Sequence, residues 1–181
     1  MVLVNPGDSD ASIQEQVTGK ALIGGPFTLV DHTGMERNEQ DMLGQHTLMY
    51  FGYTFCPDAC PTALGQMTTA RSLLTEAQQQ QIKPVFVTVD PERDTVEAIA
   101  DYVTLFSDDM MGLTGSVEQV NHMKSVYRVY SQKVDDKESS DYLVDHSSYI
   151  YVMDPKGEYV KHFSHNDSVE TIRTYLNDLL G

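Results

Sequence analysis

Two nearly uninterrupted apolar runs constrain the fold most strongly. Residues 48–53 and 85–89 each have the length of one strand and lack polar alternation, which is typical of strands buried on both faces. Apolar residues repeat at helical spacing after each run, first over residues 63–74 and then over residues 96–106. Strands that alternate with helices predict an α/β domain.

Shorter elements complete this pattern. We predict extended segments at residues 27–30, 110–114, 127–133, 149–153 and 159–163. Thr95 can cap the helix after the second apolar run, Ser116 and Gln119 form a capping box for the next helix, and Ser168 caps a last helix. We therefore expect a mixed central sheet flanked by helices, with a C-terminal hairpin and helix, over residues 21–181. Residues 1–20 are polar and are interpreted as a flexible N-terminal lead-in.

The charge balance excludes one class of partner. The chain has 12 Lys and Arg against 27 Asp and Glu, a formal net charge of −15. Nucleic-acid binding requires clustered positive charge, so we expect no nucleic-acid partner. No stretch approaches the ~18 consecutive apolar residues of a membrane helix, and we expect a soluble chain. The acidity either keeps the surface soluble or attracts basic partners, and composition leaves both open.

The two cysteines of the chain, Cys56 and Cys60, lie between the first apolar run and the helix after it. The carboxyl end of such a strand is the edge where open α/β sheets bind ligands. We expect Pro57 in the first helical turn, which places Cys56 near the helix N-terminus, where a thiolate is stabilised. Cys60 follows one turn later, so both sulfurs can face the same side. Buried structural cysteines are the less typical alternative, and the spacing does not choose between a metal site and a redox pair.

A histidine is the expected third ligand. Five of the six read as surface residues, in loops or on a helix: His32, His46, His122, His162 and His165. His146 differs, because it closes a charged loop at residues 135–141 and leads directly into the predicted strand at residues 149–153. It lies beside Cys56 if the two strands are neighbours, and Asp145 could orient its ring. Two thiolates and an imidazole suit Cu(I), or Cu(II) with a fourth donor, whereas structural zinc requires a fourth protein ligand.

A cluster of acidic residues follows the second apolar run. Asp90, Glu92 and Asp94 alternate with Pro91 and Arg93 at the expected ligand-binding edge of the sheet. The cluster is interpreted either as a turn with helix-capping charge or as a loop that modulates access to the metal site.

Several motifs of the chain occur together in one known family. They are GYTFCPDACP at residues 52–61, VDPERD at 89–94 and VDHS at 144–147, with further matches at 24–27, 112–115 and 127–130. Jointly they resemble the Sco/SenC family of copper proteins, from about Ala21 to the C-terminus. The resemblance implies a thioredoxin-like fold that binds Cu(I) or Cu(II) through Cys56, Cys60 and His146. It also implies an accessory role for Asp90 in metal transfer.

The resemblance implies a metallochaperone rather than a turnover enzyme. The family helps to build the dinuclear copper centre in subunit II of cytochrome c oxidase, so this subunit and other copper chaperones are the implied partners. Family members usually have one N-terminal membrane helix and face the bacterial periplasm or the mitochondrial intermembrane space. This sequence contains no such helix. We therefore interpret it as a shortened form, starting at Met1, of a membrane-anchored protein.

Redox chemistry supplies the alternatives. In a copper carrier, oxidation to a Cys56–Cys60 disulfide would abolish copper binding. A thiol–disulfide oxidoreductase that reduces the copper-ligand cysteines of its partner is the second hypothesis. Thioredoxin-type sites place a proline before the strand that faces the thiols, and residues 145–148 contain none. A peroxidase is a third hypothesis, which the spacing of Thr54 and Cys56 disfavours.

Overall fold

The computed structural model describes residues 22–135, 142–146 and 148–181. The strands are β1 (Thr28–Asp31), β2 (Glu36–Asn38), β3 (His46–Gly52), β4 (Ile82–Thr88), β5 (Met111–Thr114), β6 (Ser131–Asp135), β7 (Tyr142–His146), β8 (Tyr149–Met153) and β9 (Tyr159–Ser164). The helices are α1 (Ala59–Ser72), α2 (Glu76–Gln79), α3 (Val96–Thr104), α4 (Val117–Val126) and α5 (Val169–Leu180), with a 3-10 helix at Glu39–Met42. The predicted lead-in, residues 1–20, lies outside the described residues.

Seven strands form one mixed sheet in the order β2-β1-β5-β4-β3-β8-β9. The two apolar runs form its centre, where β3 pairs in parallel with β4, and β4 pairs in parallel with β5. Strand β8 lies antiparallel on the other side of β3 and continues into a hairpin with β9. Nearly every residue of β3 and β4 is buried, as their uninterrupted apolar sequence requires. This architecture confirms the predicted mixed sheet flanked by helices, with a C-terminal hairpin and helix.

Side chains begin the helices where the sequence predicts. The Ala98 backbone N–H donates to Thr95 Oγ1 at the start of α3. Ser116 and Gln119 form the predicted capping box of α4, and Ser168 accepts from a backbone N–H at the start of α5. Within the described part of the chain, no helix is long and apolar enough to cross a membrane.

Two local predictions were wrong. Residues 127–133 do not form one extended segment, because α4 ends at Val126, Arg128 adopts a left-handed φ of 58° and β6 begins at Ser131. Strand β7 was also unexpected, since its sequence follows a charged segment. The two strands β6 and β7 form a separate antiparallel hairpin.

Asp31 organises the turn between β1 and β2. Its Oδ1 accepts hydrogen bonds from Thr33 Oγ1 at 2.6 Å and from the backbone N–H groups of Thr33 and Met35 at 2.8 and 3.1 Å. Arg37 Nε donates to Oδ2 at 2.7 Å. Burial raises the pKa of Asp31, but these hydrogen bonds outweigh it and hold the pKa at about 2, below the ordinary 3.8.

The substitution Asp31→Asn is expected to lower the free energy of unfolding by about 2 kcal/mol at pH 7, because hydrogen bonds to a charged group are lost. An acid with a lowered folded-state pKa stabilises the fold above its unfolded-state pKa and loses that contribution as the pH falls. The difference between variant and parent should therefore shrink from about pH 4 to about pH 2. Urea unfolding at both ends of this range measures it, and a constant difference would contradict the assignment.

Candidate metal centre

A short segment at residues 53–58, here called the cysteine loop, joins β3 to α1. The Cys56 backbone N–H donates to the Tyr53 carbonyl oxygen at 3.2 Å, which closes a turn at the start of the loop. Helix α1 begins at Ala59, with Asp58 as its N-cap. The predicted position of Pro57 in the first helical turn was therefore wrong, because this proline precedes the N-cap.

The sulfur of Cys56 lies at the amino end of α1. The Cys60 backbone N–H donates to Cys56 Sγ at 3.4 Å, whereas the N-cap side chain of Asp58 makes no capping hydrogen bond. The thiol of Cys56 thus accepts one of the N–H groups that a helix leaves unpaired at its start. This position is the one that favours negative charge on sulfur.

Cys60 is fully buried beside the first thiol. Both cysteines are reduced, and Tyr50 Oη donates to Cys60 Sγ at 3.8 Å. The pKa of the Cys60 thiol is raised, chiefly by the hydrogen bond between Cys60 and Cys56 and secondly by burial. The two thiols therefore form one contacting pair, with Cys60 on the inner side of Cys56.

A second segment at residues 89–95, here called the acidic loop, lies against the cysteine loop. Its Asp94 is fully buried. Asp94 Oδ1 accepts from Thr54 Oγ1 at 2.5 Å, and Oδ2 accepts from the Thr54 backbone N–H at 3.0 Å and from Thr88 Oγ1 at 2.7 Å. One carboxylate thus binds the cysteine loop to the end of β4.

Asp90 belongs to the same loop but has a different partner. It is 2% exposed, its backbone N–H donates to Thr88 Oγ1, and Arg93 Nε donates to its Oδ2 at 2.5 Å. The Arg93 guanidinium carbon lies 4.5 Å from the centroid of the Phe55 ring. Asp90 is therefore held in an ion pair that packs on the cysteine loop at Phe55, the residue before Cys56.

The backbone of His146 is placed by the β6–β7 hairpin. His146 opposes Ser131 in the register of this hairpin, and directly opposed residues lie about 4.5–5.5 Å apart between Cα atoms. Ser131 lines a cleft of about 150 Å³ together with Asp90, and Lys133 forms an ion pair with Glu92. The hairpin thus brings the backbone of His146 to the acidic loop. The side chains of His146 and Asp145 lie outside the described part of the chain.

Three of the other histidines have hydrogen-bond partners of their own. His32 Nδ1 accepts from the Gly112 backbone N–H at 3.1 Å, and His122 Nε2 lies 2.8 Å from the Pro26 carbonyl oxygen. His162 contacts the hydroxyl of Tyr159. His46 was predicted in a loop, but it is the half-buried first residue of β3, where burial lowers its pKa. Among the side chains that the structure describes, no group of three or more His, Cys, Asp or Glu could hold a metal ion.

Three residues of the site were missed in the sequence. The two loops are connected through Thr54 and Thr88, which both donate to Asp94, and Cys60 is contacted by Tyr50. In the sequence, each of these residues has the pattern of an ordinary strand or turn residue. The acidic cluster was the one sequence signal that pointed to these contacts. Its interpretation as helix-capping charge is wrong for Asp94, because Thr95 caps α3 and Asp94 bonds to Thr54 and Thr88.

Comparisons of the sequence with known proteins agree on one family. A family model described as SCO1/SenC matches residues 15–181. The mitochondrial SCO1 homolog 1 of Arabidopsis thaliana is 43% identical over 154 residues, which cover 85% of this chain and 46% of that protein. The mitochondrial SCO1 homolog of Homo sapiens is 44% identical over 149 residues, which cover 82% of this chain and 50% of that protein. The chain thus spans about half the length of these relatives.

A solved structure extends the likeness to three dimensions. The crystal structure of Arabidopsis thaliana ScoI with copper bound matches with a TM-score of 0.80 at 38% identity, over 86% of this chain and 96% of that one. The mixed sheet, its flanking helices and the C-terminal strands and helix are common to both, which confirms the thioredoxin-like fold expected from the sequence motifs.

Proposed function

Because the chain belongs to the SCO1/SenC family, we propose that it binds copper and carries it to cytochrome c oxidase during assembly of that enzyme. The observation that supports this most directly is the contacting pair of reduced thiols, Cys56 and Cys60, at the amino end of a helix on the ligand-binding edge of the sheet. A similar structure holds copper. In this proposal the protein is a metallochaperone, and copper is its cargo rather than a catalytic cofactor.

We assign Cys56, Cys60 and His146 as the copper ligands. Thiolate and imidazole are ligands that copper prefers, and Cu(I) is the softer of its two valences. Cys56 in the cysteine loop and Cys60 in α1 supply the two sulfurs from one junction, where Thr54 of the loop is bound to buried Asp94. The hairpin backbone brings His146 to the acidic loop. Asp90 is assigned an accessory role, because it holds Arg93 against Phe55 on the cysteine loop.

The same pair of thiols supports redox gating of copper binding. Oxidation joins the two sulfurs, releases two protons and passes two electrons to an external oxidant. The resulting disulfide leaves no thiolate for copper. Only the reduced chain would then accept the metal.

The partner is inferred from the family. Subunit II of cytochrome c oxidase is the proposed acceptor of copper, and other copper chaperones are the proposed donors. The relatives above are mitochondrial, and the bacterial counterpart of their compartment is the periplasmic face of the inner membrane. We place the protein at that face, or in the intermembrane space, with an anchor to the membrane.

An anaerobic copper titration tests the ligand assignment. We expect the reduced chain to bind one tight equivalent of Cu(I), and Cys60→Ser and His146→Ala each to weaken that binding by about 100-fold or more. Even the loss of an outer partner of a metal ligand costs about 10–100-fold in affinity. Competition with a chromophoric Cu(I) chelator measures the change, and Cu(II) is titrated in parallel.

His122→Gln is the matched control, because His122 lies exposed on α4 and contacts Pro26. It should bind copper as the parent does. The disulfide form should bind no tight equivalent. Wild-type affinity in Cys60→Ser or His146→Ala would overturn the assignment.

A thiol–disulfide oxidoreductase is the second candidate, favoured by the contact between the two thiols and by the Cys60 N–H group that donates to Cys56 Sγ. This activity would reduce the copper-ligand cysteines of the acceptor. The rate at which the metal-free chain reduces a protein disulfide tests this activity. A rate no faster than that of a free thiol would exclude the oxidoreductase function. A fast reaction together with weak copper binding would instead make it the primary function.

A further inference from the structure

Three methionines line a cavity that the thiol site does not use. Met42 of the 3-10 helix, Met49 of β3 and Met153 of β8 surround a space of about 170 Å³, together with Thr47 and Glu39. We propose that this cavity is a second copper site, which binds Cu(I) through methionine thioethers. Soft thioether ligands select Cu(I) over harder divalent ions.

The packing around these methionines favours a binding role. All three side chains are buried, which is usual for methionine as a flexible filler of core gaps. The side chains come from three separate elements around a pocket that is partly open to solvent, and its volume exceeds that of an ion and one water molecule, since one water takes about 30 Å³. The three rotatable bonds of methionine allow each buried thioether to turn towards an ion in this pocket.

A buried hydroxyl in the cavity wall also indicates a ligand. Thr47 is 1% exposed, and its Oγ1 has no hydrogen-bond partner within the described residues. An unsatisfied buried polar group costs about 1–3 kcal/mol, so most are paired with protein or with an ordered ligand. A water molecule bound beside the metal ion would satisfy this hydroxyl.

Charge in the cavity wall suits a monovalent cation. Three neutral thioethers leave the single positive charge of Cu(I) uncompensated, and a buried charge needs a partner. Glu39 supplies a carboxylate to the same wall, where its Oε2 accepts from the Phe27 backbone N–H at 3.2 Å. Lys156 also lines the cavity but is exposed, so water screens its charge and the half-buried carboxylate of Glu39 is left to balance one positive charge. One monovalent ion therefore fits this site better than a divalent one.

The cavity is separate from the thiol pair. A Cβ added at Gly52 would meet Cys60 Sγ, so the even-numbered positions of β3 face the cysteines. Side chains alternate along a strand, which places Thr47 and Met49 on the opposite face of the sheet. The second site is therefore independent of the cysteine ligands, and its proposal does not rest on the function proposed above.

The test uses the full chain without its thiols. The double variant Cys56→Ser, Cys60→Ser is titrated anaerobically with Cu(I) in competition with a chromophoric chelator. We expect one equivalent to remain bound, more weakly than at the thiols, with X-ray absorption showing sulfur neighbours. In this background Met49→Leu and Met153→Leu should each weaken binding at least tenfold, since each removes a direct ligand.

Met67→Leu in the same background is the matched control, because Met67 is equally buried on α1 but lies outside this cavity. Leucine nearly conserves the volume of methionine, so all three variants should fold, and circular dichroism checks this. The proposal is overturned if the double variant binds no Cu(I), or if Met49→Leu binds it as tightly as Met67→Leu. The double variant is expected to lose the tight copper equivalent of the thiols. If it also binds no second Cu(I), only the methionine site is excluded, and the function proposed for the thiols stands.

Discussion

Replacing Gly52 by alanine is expected to weaken Cu(I) binding more than tenfold and to lower the free energy of unfolding by about 1–3 kcal/mol, as overpacking of a core does. The new Cβ would lie 2.7 Å from Cys60 Sγ, 2.9 Å from Tyr50 Cε1 and 3.2 Å from Phe86 Cε2. These atoms are fully buried, and the two rings lie on adjacent central strands. The thiol of Cys60 therefore has to move away from Cys56. Chelator competition and urea unfolding measure the two effects.

Gly65 provides the matched control for this substitution. It lies inside α1, and a Cβ added there would have nothing within 4 Å. Gly65→Ala should stabilise the chain by about 0.5–1 kcal/mol, because alanine loses less backbone freedom in a helix. Its copper affinity should equal that of the parent. If Gly52→Ala also kept the parent affinity, the position of the Cys60 sulfur would not matter for copper, and Cys60 would lose its assignment as a ligand.

Local signals in the sequence were sufficient for most of the fold. Strands β3 and β4 follow from apolar runs that only a fully buried strand accommodates. The starts of α3, α4 and α5 follow from capping side chains that act on a backbone N–H three residues later. Both signals depend on neighbours in the sequence, so one chain is enough to read them.

The hairpin of β6 and β7 did not give such a signal. Its strands pair with each other and not with the main sheet. The β6 side chains at Gln132, Lys133 and Val134 are exposed. A strand that buries little lacks the apolar pattern by which strands are recognised. The sequence therefore placed His146 in a loop, although its backbone lies in β7.

Only part of the candidate site could be predicted from the sequence. The position of the cysteine pair follows from the strand–helix junction, and the acidic loop follows from its place after a neighbouring strand. The link between the loops does not, because Thr54 and Asp94 are 40 residues apart and no local pattern joins them. Only the parallel register of β3 with β4 brings the two loops to one edge.

The contact between Asp94 and Thr54 leads to the second prediction, a large loss of stability. Asp94→Ala is expected to lower the free energy of unfolding by about 3–5 kcal/mol, because more than one buried donor loses its acceptor at about 1–3 kcal/mol each. The donors are the Thr54 backbone N–H and the hydroxyls of Thr54 and Thr88. Burial raises the pKa of Asp94, so its charge is itself costly. Asp94→Asn, which keeps the shape without the charge, should recover part of the loss.

A measurement of copper affinity distinguishes a role of Asp94 in positioning the cysteine loop from a role in core packing alone. Thr54 lies two residues before Cys56, so a chain with Asp94→Asn should fold and still bind Cu(I) more weakly, because the cysteine loop is no longer fixed. Glu97→Ala is the control, since Glu97 is exposed on α3 and its removal should change stability by no more than about 0.5 kcal/mol. An Asp94→Ala chain as stable as the control would mean that other contacts hold the two loops together. Parent-like copper affinity in Asp94→Asn would mean that the thiol pair is positioned by α1 alone.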